Sequence, residues 1–170
     1  MTMDTFSLVT GESFEQVMKF YMPMVYRIAF TRLGNASDAE DITQDVFLKY
    51  FKANETYNNE EHRKAWLIRC TINCANTLVT SAWNRHKASE EALEGIGTTD
   101  ALDRLEQQTA VAEAVMKLPP KYRTVIHLFY FEDLSITQIS EMTGIRESTV
   151  KSQLSRAREM LKPMLKEVSF

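Results

Sequence analysis

The sequence predicts an all-α protein made of two small helical domains joined by a flexible linker, and three observations predict it. Apolar residues recur at three and four positions almost throughout, and β-branched alternation is nearly absent. Five glycines and four prolines are few for 170 residues, so helices can run long. The segment from Ala88 to Thr109 holds Gly95, Gly97, Thr98, Thr99 and an acidic excess between two apolar-rich regions, which reads as a linker. The expected domains are therefore 1–87 and 110–170, with 88–109 between them.

The first helix is expected from about Ser13 to Leu33, with Phe14, Val17, Met18, Tyr21, Val25, Ile28 and Ala29 as its core stripe, a possible kink at Pro23, and an end at Gly34-Asn35. Ser37 with Glu40 three residues later matches a capping box for a helix reaching about Lys52. A polar loop, Ala53 to Glu61, precedes a helix from about His62 to Lys87. Asp100 to Gln107 could form a short helix within the linker. Beyond it come Ala110 to Lys117, the Leu118-Pro119-Pro120 break, and a helix from Lys121 to Phe131.

The last two helices form a recognisable motif. Ser135 and Gln138 make a capping box, Ile136, Ile139 and Met142 an inward face, and Gly144 supplies the left-handed residue of a tight turn closed by Ile145. On the next helix Val150, Leu154, Ala157 and Leu161 share one narrow arc, while Ser148, Lys151, Ser152, Ser155 and Arg156 point away and Gln153 lies on the flank. Small hydroxyls permit close approach to a major groove, and Lys and Arg neutralise phosphate or read guanine. The region from about Leu134 to Leu165 therefore reads as a helix-turn-helix that docks on duplex DNA. An αα-hairpin with a solvated basic face is the bland alternative.

The formal net charge of −3 looks wrong for such a binder, but charge is segregated along the chain. Ala88–Thr109 carries −5 and Arg146–Lys166 carries +4. Hydrophobic residues at 44% and charged residues at 25% are an ordinary globular balance with no bilayer span, and the N-terminus lacks a secretory pattern, so a cytoplasmic protein is expected. No Gly-rich phosphate loop, nucleophile elbow or metal-binding helix motif is present, so neither an enzyme nor a cofactor is expected. His62, Cys70, Cys74 and His86 match no common zinc spacing, and the two cysteines are expected as reduced thiols packed on a helical face, with no metal.

The helix from Ser37 places Asp38, Asp41, Asp45 and Leu48 on the side opposite Ala39, Ile42, Val46, Phe47 and Tyr50, and a leucine exposed among acids suggests a partner. The string from Asp38 to Lys49, Asp-Ala-Glu-Asp-Ile-Thr-Gln-Asp-Val-Phe-Leu-Lys, closely resembles region 2 of bacterial RNA polymerase sigma factors of the extracytoplasmic-function (ECF) group. Lys64 to Arg69 with Ile72-Asn73 is similar to the promoter-reading helix of that region. Leu118 to Arg123 opens what resembles region 4, and the likeness continues through Thr143-Gly144-Ile145 to Arg156-Ala157-Arg158. It covers both expected domains in order.

The resemblance implies binding of core RNA polymerase through Asp38, Asp41, Asp45 and Leu48. It implies a minus-ten site from Tyr57, Asn58, Asn59, Arg63, Lys64, Arg69, Asn73, Arg85 and Lys87, and a minus-thirty-five site from Arg146, Ser148, Thr149, Lys151, Ser152, Gln153, Ser155 and Arg156. Flipped bases would stack and hydrogen-bond in the loop, and the cations would track the opened strand. Trp66, lying in the apolar stripe, is assigned to the core. Promoter DNA and an anti-sigma factor are the other implied partners. The acidic linker is either a nucleic-acid mimic in the polymerase channel or a passive tether.

The chain departs from the family pattern at Thr77 and Thr80, where an acid and an arginine are common, and at Arg146 and Gln153 in the recognition helix. These changes imply a less basic region 2 and an altered minus-thirty-five preference. The competing reading is a stand-alone helix-turn-helix regulator whose N-terminal half senses a ligand or dimerises.

Overall fold

A computed structural model describes residues 13–53, 57, 59–86 and 109–166, and among these there are helices and no strands. The linker from 88 to 108, with its expected short helix, lies outside the described residues. Seven α-helices are described: α1 Phe14–Leu33, α2 Ala36–Ala53, α3 Glu60–His86, α4 Thr109–Met116, α5 Pro120–Ile126, α6 Ile136–Thr143 and α7 Glu147–Lys166.

Local chemistry accounts for most boundaries. Ser13 caps α1 by accepting from the Gln16 N–H, and the Gln16 side chain accepts from the Ser13 N–H at 3.0 Å. The helix runs through Pro23 to Gly34, which takes φ +81 and donates its N–H to the Phe30 carbonyl. The next cap differs from the sequence expectation. Asn35, not Ser37, caps α2: its Oδ1 accepts from the Asp38 N–H at 2.8 Å, and its amide donates to the Asp38 carboxylate at 2.8 Å. The left-handed turn at Gly34 presents Asn35 first, so Ser37 falls inside the helix.

Asn59 likewise starts α3 two residues early, accepting from the His62 N–H at 2.8 Å. Proline at the first position of α5 needs no N–H there, and the helix continues into one π-helical turn, His127–Phe131. Ser135 and Gln138 form the expected capping box, and Gly144 ends α6 at φ +81.

The N-terminal module buries Val25, Ile28, Ala39, Ile42, Val46, Leu67 and Ile68 between α1, α2 and α3. The C-terminal module buries Val125, Leu128, Ile139, Val150, Leu154 and Ala157. These two cores are not separate, as the sequence reading has them. They form one continuous apolar cluster, with α5 packed on α1 and α6 packed on α3.

A polar seam aligns the modules. The Arg123 guanidinium of α5 donates to the carbonyls of Thr31 and Arg32 at the C-terminus of α1, and to its own module's Leu118 carbonyl at 2.9 Å. Next to it, His127 donates from Nε2 to Glu132 at 2.8 Å while its Nδ1 lies 3.4 Å from the Thr31 hydroxyl. Arg27 of α1 reaches the same carboxylate at 3.4 Å.

Substitutions at the seam and at the two left-handed glycines test this packing. Arg123→Ala should cost about 2–3 kcal/mol in urea unfolding, the range for charge-assisted bonds. Gly34→Ala and Gly144→Ala should each cost about 1–2 kcal/mol from the left-handed backbone. Gly34→Ala should cost more, because a Cβ there meets the Arg123 guanidinium at 3.1 Å while Gly144 faces open space. That excess should vanish in an Arg123→Ala background.

Burial raises the pKa of the Glu132 carboxyl, but the hydrogen bond and charge of His127, with Arg27 and Lys64, outweigh it and leave the value below normal. A depressed carboxylate stabilises the fold fully above its unfolded pKa of about 4.3, and this is lost as pH falls through the lower folded value. Glu132→Gln should therefore unfold at lower urea at pH 7 and lose part of the wild-type stability decline below about pH 4.

Candidate nucleic-acid interface

Helix α7 presents two unlike faces. Val150, Leu154, Ala157 and Leu161 are buried against the module, Ser148, Thr149, Lys151, Ser152, Ser155 and Arg156 are exposed on the other side, and Arg146 is exposed at the residue that precedes the helix. Gln153 is half-buried on the flank, as its helical angle requires. Thr137 donates to the Glu147 carboxylate at 2.9 Å and ties α6 to the first turn of α7. Arg158 is held away from the open face: it donates to the Tyr130 hydroxyl at 2.7 Å and lies over the Phe129 and Tyr130 rings. An exposed aromatic patch thus flanks the motif, with Tyr130 and Phe131 about half exposed, and no periodicity in the sequence had singled it out.

On α2, Asp41, Asp45 and Leu48 are exposed together, with Gln44 between them. Asp38 is half-buried and bound to Asn35, so its carboxylate serves the helix cap. Phe51, 61% exposed at the flank of the same face, was missed because an aromatic at that spacing reads as core.

The residues expected around the loop divide into two sets. Tyr57 is half-buried, stacked on Tyr50 at 5.9 Å and edge-on to Trp66 at 6.4 Å. Arg63 is buried, its guanidinium 5.4 Å from the Tyr57 ring centroid and its Nη1 3.2 Å from Glu60. Glu60 also accepts from the Tyr21 hydroxyl at 2.6 Å. Tyr57, Arg63 and the capping Asn59 are therefore fastened to α2 and α3, and Glu60 ties the start of α3 to α1.

Arg69 and Asn73 are exposed on α3, and Lys64 is half-buried where its charge acts on Glu132. Asn58, Lys87 and the Arg85 side chain lie outside the described residues. Arg69 and Asn73 line a cavity of about 370 Å³ between α2 and α3, together with Lys49, Trp66, Cys70, Cys74 and Thr77. Lys49 comes from the neighbouring helix, so sequence spacing along α3 could not reveal it.

Comparison with known proteins matches this architecture. The description Sigma-70 region 2 fits residues 18–85, and Sigma-70, region 4 fits residues 108–161. The RNA polymerase sigma factor SigV of Bacillus subtilis is 32% identical over 142 residues, covering 82% of this chain and 83% of that protein. The chain belongs to the ECF family of RNA polymerase sigma factors.

The ECF RNA polymerase sigma factor SigW of Bacillus subtilis is 28% identical to this sigma factor over 170 residues, covering 92% of this chain and 91% of that one. In fold it is similar to the sigma factor RpoE of Bartonella quintana, solved with the anti-sigma factor NepR. The TM-score is 0.69 at 22% identity, over 92% of this chain and 98% of that one.

The cysteines carry a distinct electrostatic signature. Cys74 accepts a hydrogen bond from Cys70, which with Lys49 outweighs burial and Asp45 and lowers its pKa to about 7. That same hydrogen bond, then burial and the Cys74 charge, raise Cys70 well above the usual thiol range. Iodoacetamide should therefore alkylate Cys74 first, with a rate rising through about pH 7. In Cys70→Ala the midpoint should move up toward 9.0. Mass spectrometry of pH-series digests reads both.

Proposed function

We propose that this ECF sigma factor grips core RNA polymerase through the outer face of α2, with Asp41, Asp45 and Leu48 in contact and Asp38 holding the helix start. The minus-thirty-five element is read by α7 through Arg146, Ser148, Thr149, Lys151, Ser152, Gln153, Ser155 and Arg156. The opened minus-ten strand runs past Lys64, Arg69, Asn73, Arg85 and Lys87. Tyr57, Asn58, Asn59 and Arg63 shape the loop that receives its flipped bases. The observation that carries the reading is the serine, threonine, lysine and arginine face of α7, exposed over a buried apolar arc in a chain with both family regions in order.

The stand-alone regulator reading loses support, because both regions match sigma factors over the N-terminal as well as the C-terminal half. We place the protein in the cytoplasm, acting with polymerase and without catalysis of its own. Among the described residues no helix is long and apolar enough to cross a membrane. An anti-sigma factor is the proposed inhibitor; the RpoE structure, of similar fold, holds one. The acidic linker serves as tether or channel-filling mimic between domains 1–87 and 110–170.

Purified protein added to core polymerase on a fragmented genome should start transcription at a small set of sites, and should not open promoters alone. Specific dimeric binding to an operator without polymerase would overturn the reading. Asp41→Lys with Asp45→Lys should weaken core association about tenfold or more, as like-charge or lost pairing across an interface does. Lys151→Ala or Arg156→Ala should each lower the salt dependence of promoter binding by about one unit of slope if it contacts phosphate.

A further inference from the structure

The cavity between α2 and α3 holds a feature that promoter binding does not explain. Cys70 and Cys74 lie one helical turn apart, both free and half-buried, and both line that cavity with Lys49 and Arg69. Two sulfurs on one wall form a soft bidentate donor. Joining them directly would need Cβ atoms about 3.5–4.5 Å apart, whereas helix neighbours at this spacing sit about 5–6 Å apart. A disulfide would therefore deform α3. A bridging ion with two metal–sulfur bonds of about 2.3 Å each spans the gap without deforming it.

The donor set selects the ion. Among the described residues no group of three or more His, Cys, Asp or Glu could hold a metal, so a tetrahedral divalent ion lacks its remaining protein ligands. A monovalent soft ion is satisfied by two thiolates. Binding breaks two S–H bonds, forms two metal–sulfur bonds, releases two protons to solvent and changes no oxidation state. The product carries one negative charge, and Lys49 and Arg69 on the same cavity are the cations that offset it.

We propose that Cys70 and Cys74 form a two-thiolate binding site for copper(I) in the cavity between α2 and α3. The ion sits beside Arg69 and Asn73. On the promoter-strand reading above, its complex draws the Arg69 charge away from DNA, so loading lowers strand engagement.

Anaerobic titration of the reduced full-length chain with copper(I), against a colorimetric copper(I) chelator, tests the site without polymerase or DNA. One ion should bind per chain with two sulfur neighbours by X-ray absorption, raising the thermal midpoint by several degrees. Cys70→Ser and Cys74→Ser should each lose about a hundredfold in affinity as the second sulfur's effective concentration is removed. Lys49→Gln, an exposed change, should lose several-fold. Far-UV circular dichroism of the metal-free variants checks that they fold.

Stoichiometric copper retained by the double serine variant, undiminished wild-type affinity in either single variant, or nitrogen neighbours at the metal would overturn the site. Copper(I) loading should also lower run-off transcription by wild type and not by Cys70→Ser. Binding without that loss overturns the link to DNA and leaves the metal site standing. Failure of metal-free wild type to support any transcription would instead count against the sigma-factor reading.

Discussion

The arrangement of this molecule turns on one guanidinium at the end of one helix. The last carbonyls of an α-helix lack intrahelical donors and carry its partial negative charge, and inside a fold they need partners. Helix α1 ends against the other module, and the donors come from Arg123 on α5, which satisfies the carbonyls of Thr31 and Arg32. Burial lowers the Arg123 pKa, with Arg32 adding repulsion, so the carbonyl oxygens are what make the site tolerable for a cation. Gly34 serves the same corner twice, by its left-handed turn and by leaving room for the guanidinium. The turn then delivers Asn35 as the cap of α2. One corner thus sets the end of α1, the start of α2 and the seat of the C-terminal module.

Docking uses α1, α3, α5 and α6, which leaves the outer faces of α2 and α7 free. Each of those faces has an apolar arc buried beneath it, so its chemistry can be specialised without loss of core. The seam itself mixes apolar contact with Arg123, His127, Glu132 and Arg27. Polar interfaces within a chain behave like transient ones, because their groups regain water when they part.

The residues near the loop illustrate how position and role diverge. Tyr57, Asn59 and Arg63 have the chemistry to bind bases or phosphates, yet their side chains are engaged in a stacked aromatic cluster, a helix cap and an ion pair. Arg69 and Asn73, one turn apart on α3, are the polar groups left facing outward beside Lys49. The difference lies in what each helix packs against, which composition does not record.

What the sequence by itself determined is whatever depends on neighbours three or four residues apart. The capping box of Ser135 and Gln138, the turn at Gly144, and the split of α7 into a buried and an exposed face were all legible because helical geometry relates those residues directly. Tertiary structure decided what depends on distant partners. Asn35 displaced Ser37 as a cap through the turn before it, Arg123 fused two expected cores into one, and Lys49 joined the cysteines of another helix around a cavity. Local hydrogen bonding follows from spacing along the chain, whereas burial and charge pairing across helices exist only once the chain has closed on itself.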